Sequence, residues 1–369
     1  MDTLESKSLA ALVSIEGIGQ RTVASLCTDL HAQNISWEEF WESGATLWKN
    51  YAILENKIDS IEKFIKEQTM ETYYEKLKTR NIRVITKDSS EYPPLLKEVE
   101  NGPVVLFAQG SPMEWTASVP IAVVGTRHMT AYGKLVTEKI ARELVCAGAQ
   151  IISGFMYGVD TCAHLTALEN QGKTVGVLGF GFDYMYPSSH KKVFRQCLEN
   201  GMSFVTPFAP AVQPNKGNFP ARNAIVAGMS AAVVVTEAAE KSGTHITAGF
   251  AADFGRTVCA VPGPITSPYS AGTKSLVNQG AVLVSSGSEV LESLGLSHSK
   301  TFGLSTTAVQ SFSEKETLII KILRSSGGQS LNNLLVITKL PPAELLTVIT
   351  ELELKQQIAR EGDTWMICS

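Results

Sequence analysis

The stretch Ile121-Ala122-Val123-Val124-Gly125-Thr126-Arg127 is a short apolar run closed by a glycine, a hydroxyl and a cation. Too short for a helix and rich in β-branched residues, it reads as a buried strand whose carboxyl end opens into a loop. Arg127 emerges where that strand gives way to a helix beginning near Tyr132. A cation in this position contacts a phosphate, or else braces the loop by a salt bridge to a carboxylate such as Glu237.

Outward from this stretch the pattern repeats. Strand cores are expected at Ile121-Val124, Gln150-Ile152, Val175-Leu178, Phe204-Thr206, Ala232-Thr236, Val258-Val261 and Ala281-Val284, alternating with helical stretches. Continuous apolar strands separated by crossovers of roughly 20 residues imply an α/β fold, a doubly wound parallel sheet with helices on both faces. Further short motifs sit at the junctions: Ser153-Gly154, Gly179-Phe180-Gly181, Phe219-Pro220-Ala221-Arg222-Asn223, Ser242-Gly243-Thr244, Pro262-Gly263 and Gly272-Thr273-Lys274. In an open parallel sheet the ligand crevice lies outside the carboxyl ends of the strands, so all of these converge on one rim. Bare backbone N–H groups and cations there favour phosphate.

The chain has 369 residues, 44% of them hydrophobic, which allows two or three domains with a full core. Its N-terminus, Met1-Asp2-Thr3-Leu4-Glu5, is acidic where a signal peptide needs basic residues, and no apolar run approaches about 18 residues. A cytoplasmic protein without a membrane span is expected. Six cysteines are scattered with no C-x-x-C pair, so neither a disulfide framework nor structural zinc is expected. The net charge of −4 is uneven: residues 1 to 118 carry about −6 and residues 119 to 290 about +3, so only the middle segment suits a polyanion.

Residues 1–75 read as small helices. Within them, Ser14-Ile15-Glu16-Gly17-Ile18-Gly19-Gln20-Arg21 has the glycine-broken turn of a helix-hairpin-helix. The surrounding acidity leaves open whether this turn holds a DNA phosphate or is only a compact corner. Trp37, Trp41 and Trp48 are expected to form a small core. Extended segments Ile82-Ile85 and Val104-Phe107 lead into the sheet of a domain spanning 76–298, a Ser/Thr-rich linker follows at 299–311, and 312–369 reads as a winged helix. The third helix of that last unit carries Glu344, Glu351 and Glu353, which favours a protein contact over DNA.

Several motifs resemble other chemistries and fail on inspection. Gly179-Phe180-Gly181-Phe182-Asp183-Tyr184 has a tyrosine where a dinucleotide fingerprint needs its third glycine, so no nicotinamide cofactor is expected. Gly172-Lys173-Thr174 precedes a strand and lacks the first glycine of a P-loop. Asp160 and His164, one helical turn apart, are read as a helix-start carboxylate and a buried, hydrogen-bonded histidine in preference to an acid–base pair. Lys191, Lys192 and Arg195 lie near Phe180, Phe182, Tyr184, Tyr186 and Phe219. Cations beside aromatics are what a single-strand binding surface needs, about half of the aromatics being core.

Taken in order, these motifs resemble the DNA-processing protein A (DprA/Smf) family of bacteria. The likeness rests on Val124-Gly125-Thr126-Arg127, Ser153-Gly154 with Gly158-Val159-Asp160, Tyr186-Pro187, Phe219-Pro220-Ala221-Arg222-Asn223, Glu237-Ala238, Ser242-Gly243-Thr244 and Ala260-Val261-Pro262-Gly263. It implies an extended Rossmann-like domain that binds single-stranded DNA without catalysis, forms a homodimer and loads a RecA recombinase in natural transformation, with no cofactor or metal. By matching motifs, Arg127 is a principal DNA contact and Lys191 or Lys192 a second. Thr126, Met156 and Ala224 depart from the family pattern, the last removing a cation. Two alternatives stay open: a phosphoribohydrolase-like enzyme with Glu237 as base beside Ser242-Gly243-Thr244, and a scaffold whose cleft is unused.

Overall fold

Alternate residues of the central strands enter two different cores. Ile121, Val123, Ile151 and Val234 pack with Ile140 and Leu144 of the helix Ala131–Cys146 and with Val159 and Ala163 of the helix Val159–Glu169. Their neighbours Ala122, Val124, Ile152 and Val233 pack with Ile225 and Val226 of the helix Asn218–Gly228 and with Ala248 and Ala251 of the helix Thr244–Asp253. Strands covered on both faces have no solvated side, so their sequence is apolar without alternation. The computed structural model describes residues 3–116, 118–296, 313–326, 328–354, 357–361 and 364–367; the linker expected at 299–311 lies outside them.

The chain divides into two units, Met1–Gly303 and Leu304–Ser369. The first is mixed α/β around a large, mostly parallel sheet. Its strands are β1 (Arg83–Thr86), β2 (Val105–Gly110), β3 (Pro120–Val124), β4 (Gln150–Ser153), β5 (Thr174–Val177), β6 (Ser203–Thr206), β7 (Ala232–Val235), β8 (Thr257–Ala260) and β9 (Val282–Leu283). Their order across the sheet is β1-β2-β6-β5-β4-β3-β7-β8-β9. From β6 to β9 all neighbours are parallel, while β1 and β2 add an antiparallel edge. The seven central strands fall within a residue or two of the positions expected from apolar runs.

The helices Leu4–Ser14, Gln20–Ala32, Trp37–Ser43, Ile58–Glu67 and Met70–Thr79 share one core with Val105 and Phe107 of β2. Trp48 and Phe40 are fully buried at its centre, and the indole N–H of Trp48 donates to the Phe40 carbonyl at 2.8 Å. Trp41 and Trp37 pack around the same Phe40 ring, so the tryptophans build a core as expected. Gly17 takes φ +82° at the turn between the first two helices, a conformation that disfavours any residue with a Cβ. Just past that turn, Gln20 ties the helices to the sheet. Its Nε2 donates to the carbonyls of Val105 (2.9 Å) and Pro207 (2.7 Å), and its Oε1 accepts from the N–H of Val104 at 3.0 Å.

The second unit packs the helices Glu314–Ser326, Leu331–Thr338 and Pro342–Leu354 against an antiparallel sheet of β10 (Gln329–Ser330), β12 (Thr364–Ile367) and β11 (Ile358–Glu361), in that order. Ile319, Leu334, Ile349 and Trp365 fill its core. The short β10 had no counterpart in the sequence reading, because two residues carry no period. Among the described residues no single helix is long and apolar enough to cross a membrane.

Gln20→Ala removes hydrogen bonds to partly buried backbone groups of Val104, Val105 and Pro207. It is expected to lower unfolding free energy by about 2 kcal/mol, read as a lower urea midpoint with an unchanged slope.

Candidate functional site

The strand order reverses at β3. The chain winds from β3 outward to β6, then returns to lay β7 on the other side of β3. The helix following β3 packs on one face of the sheet and the helix following β7 on the opposite face. Their loops therefore diverge at the strand ends, and a crevice opens between them as it does at switch points in other parallel sheets. A cleft of about 590 Å³ occupies this place, walled by the loops after β3, β4, β6 and β7.

Backbone contacts hold its two sides together. The Thr126 N–H donates to the Glu237 carbonyl at 2.8 Å, and the Thr126 carbonyl accepts from the Val159 N–H at 3.2 Å. Gly125 is required here, since a Cβ would stand 2.6 Å from Val159 Cγ2 and 2.8 Å from the Glu237 carbonyl oxygen. The Glu237 carboxylate is buried and fully engaged: Oε2 accepts the Thr130 N–H at 2.9 Å and Oε1 the Thr130 hydroxyl at 2.6 Å. Thr130 in turn caps the helix Ala131–Cys146 by accepting the Gly133 N–H at 3.0 Å. A carboxylate at a helix N-terminus is favoured by the exposed amides there. Of the alternatives left open, the salt bridge from Arg127 to Glu237 does not form among the described residues, and both oxygens of the carboxylate that the enzyme reading needs as a base are engaged by Thr130.

Arg127 is exposed on the cleft wall, its Cζ 5.6 Å from the centre of the Phe219 ring. Phe219 lies against Tyr186, ring centres 5.5 Å apart. Lys216 and Lys241, which the sequence reading missed, also line the cleft and are exposed. None of these three cations forms an ion pair among the described residues. Lys216 stands three residues before Phe219 and Lys241 directly before Ser242, so adjacency to the quoted motifs was the available signal. Asn223 and Tyr269 complete the walls.

Other expected contacts lie beneath the surface. Ser153 is fully buried, its hydroxyl donating to the Val123 carbonyl at 2.7 Å. The Gly181 N–H donates to the Val212 carbonyl at 2.8 Å, and Gly179 packs under the Phe219 ring. Arg222 is buried; its Nη1 donates to the carbonyls of Gly154 and, at 3.1 Å, Val177, while its Cζ lies 6.0 Å from the Phe219 ring centre. Ser153, Gly179 and Gly181 thus support the cleft floor, while Arg222 reaches the cleft lining with Nη1 engaged and its buried Nε without a hydrogen-bond partner among the described residues. Gly154 reaches the wall, with Arg222 and the Asp160 carboxylate too close to admit a Cβ. Burial raises the Asp160 pKa against the opposing pull of Arg222, and burial lowers that of Arg222 to about 10, so the guanidinium stays charged at neutral pH.

The Ser242-Gly243-Thr244 turn is at the wall too. Its Thr244 N–H is taken by Ser242 Oγ at 3.2 Å, and just beyond it the N–H groups of His245 and Ile246 donate to the carbonyls of Ser242 and Gly243, each at 3.1 Å. The adjoining Lys241 adds a cation to the turn. Lys191 and Lys192 are exposed at the start of the helix Lys191–Glu199, beyond Tyr186 and the short turn Ser188–His190. They extend the same rim outside the cleft. Lys274 is exposed on the helix Ala271–Asn278, away from the cleft walls. Of the aromatics expected near the site, Phe180 is core, Phe182 and Tyr184 pack against it, and Tyr186 and Phe219 reach the cleft.

Comparison with known proteins follows these features closely. A family model described as DNA recombination-mediator protein A matches residues 83–295. A putative DNA processing protein DprA of Mycobacterium tuberculosis is 35% identical over 309 residues, covering 79% of this chain and 79% of its own. The X-ray structure of DprA from Streptococcus pneumoniae is similar with a TM-score of 0.63 and 28% identity, covering 76% of this chain and 95% of its own. A Helicobacter pylori DprA structure, whose subject is a single-stranded DNA binding mode, is similar with a TM-score of 0.51 and 28% identity over 58% of this chain and 95% of its own.

Asp160 and His164 do not pair. Asp160 accepts the Met156 N–H at 3.3 Å, and His164 Nδ1 lies 2.7 Å from the Thr174 hydroxyl, which itself donates to the Ile151 carbonyl. Thr174 therefore accepts from Nδ1–H, and the imidazole is held neutral; burial, with the nearby Arg222, pushes its pKa down to about 3. A folded-state pKa below the unfolded value of about 6.5 makes stability complete above that value and decreasing as pH falls toward the folded one. Between pH 6.5 and 4.5 the protein should lose roughly 2 kcal/mol through this group. His164→Asn keeps a donor to Thr174 without a titrating ring, and its urea midpoint should fall less over the same interval.

Proposed function

The chain belongs to the DNA recombination-mediator protein A family, and from that premise we propose that the β3–β7 cleft binds single-stranded DNA without chemically altering it. The observation that carries the reading is the set Arg127, Lys216 and Lys241, exposed around one cleft and free of ion pairs among the described residues, beside the Phe219–Tyr186 ring pair. Cations hold phosphates of any sequence and rings accept any unpaired base, which together select an open strand over a duplex. Below them buried Arg222 stays charged beside buried Asp160.

The same reading makes the protein a homodimer that hands its strand to a RecA recombinase, on the strength of the family likeness. It keeps the domain division at 1–75, 76–298, 299–311 and 312–369. A helix-hairpin-helix at the N-terminus is supported by the positive φ of Gly17, and a winged helix at the C-terminus by three helices followed by the β11–β12 hairpin. In the central domain, helices on both faces of a sheet whose order reverses at β3 support the extended Rossmann-like description.

Fluorescence anisotropy with a labelled oligothymidylate tests the reading. Arg127→Ala should weaken binding about tenfold, as expected for a charge-assisted contact, and Lys216→Ala and Lys241→Ala should weaken it further. The log of affinity should fall with log salt by about 0.7 for each phosphate contact, with a shallower slope in every cation variant. A salt-independent affinity, or equal binding by wild type and Arg127→Ala, refutes the assignment.

A further inference from the structure

Tyr157 was given no role within the Ser153–Asp160 motif, yet it stands on the rim with 46% of its surface exposed. Neighbouring strands are spaced about 4.8 Å apart, so loops after adjacent strands are neighbours along the rim. The loop after β5 brings Tyr186, the loop after β4 Tyr157 and the loop after β3 Arg127, while Phe219, from the helix that follows β6, touches both Tyr186 and Arg127. The backbone fits this order tightly: Gly158, at φ +75°, lies so close to the Arg127 peptide that a Cβ would stand 2.9 Å from its carbonyl oxygen.

Two contacts fix the Tyr157 ring. Its hydroxyl is 2.5 Å from the Ser189 hydroxyl, and its ring meets buried His190 edge-on, centres 4.7 Å apart at 84°. His190 is itself wedged against buried Phe155, centres 5.3 Å apart. Ser189 and His190 belong to the turn that separates Tyr186 from Lys191. The polar tip of Tyr157 is thus hydrogen-bonded, and nearly half of the residue stays open to solvent. A side chain already held in place loses little entropy when a ligand covers it.

We infer that Tyr157 stacks on an unpaired base of the bound strand, continuing the Phe219–Tyr186 platform toward Lys191 and Lys192. This rests on the cleft binding single-stranded DNA and adds to it a residue and a direction, with bases lying on the β4 and β5 loops while the cations on either side hold the backbone. Stacking needs only a π-face, so the contact is indifferent to base identity.

Anisotropy titrations with an oligothymidylate and with the same oligonucleotide carrying abasic sites in place of its central bases provide the test. Tyr157→Ala should bind the intact strand about tenfold more weakly than wild type, while Tyr157→Trp restores binding and Tyr157→Phe, lacking only the bond to Ser189, stays within about threefold. On the abasic strand, wild type and Tyr157→Ala should converge. Unchanged binding by Tyr157→Ala overturns the inference when Arg127→Ala still weakens binding. An equal loss on both oligonucleotides also overturns it, because that pattern belongs to a residue that only supports the fold. Wild type failing to bind the intact strand overturns the cleft reading and this inference together.

Discussion

The hydrogen bond from the Thr126 amide to the Glu237 carbonyl joins the two loops that the sheet drives apart. At a strand-order reversal the chain leaves one strand toward one face and its neighbour toward the other, which opens a crevice but leaves nothing inherent to hold its sides in register. Here the link is made at 2.8 Å between β3 and β7 loops, and the side chain of the same glutamate caps the helix that begins after β3. One residue thus connects the cleft wall, a helix N-terminus and the sheet. The small residues around it, Gly125 and Gly133, are there because any Cβ would collide with Glu237 or its neighbours.

Charge is layered through the site. At depth, Arg222 donates through Nη1 to the backbone carbonyls of Gly154 and Val177 with Asp160 close by, while its buried Nε has no hydrogen-bond partner among the described residues. At the mouth, Arg127, Lys216 and Lys241 are solvated and unpaired among the described residues, so their field acts outward. Phe219 lies near both layers, its ring centre 5.6 Å from Arg127 Cζ and 6.0 Å from Arg222 Cζ. A surface built this way attracts a polyanion at its rim.

The strands were legible because burial on both faces writes an uninterrupted apolar run, and the rim was legible because glycines and cations at strand ends have few other uses. The site was read less completely. Ser153, Gly181 and Arg222 carry donors of the right chemistry, but their donors turn inward to Val123, Val212, Gly154 and Val177, partners distant in sequence. The Ser242-Gly243-Thr244 turn reads as an anion site by residue type and does line the cleft, although the Ser242 hydroxyl takes its Thr244 amide. Lys216, Lys241 and Tyr157 were passed over although they adjoin quoted motifs, because adjacency in sequence does not say which side chain faces the cleft.

The amino-acid sequence by itself determined the α/β class, the strand positions, the acidic N-terminal and basic central segments, and the family likeness, since each depends on local pattern or on the order of motifs. Only the tertiary structure decided which donors face the cleft and which brace its floor. That distinction depends on strand order: the reversal at β3 lays β7 beside it and so brings the Thr126 loop against the loop of Glu237 and Lys241, which is distant in the chain, and no spacing along the chain encodes it. The physical reason is that a side chain's role is set by whether water or protein takes its hydrogen bonds, and its partner is chosen by packing across the fold.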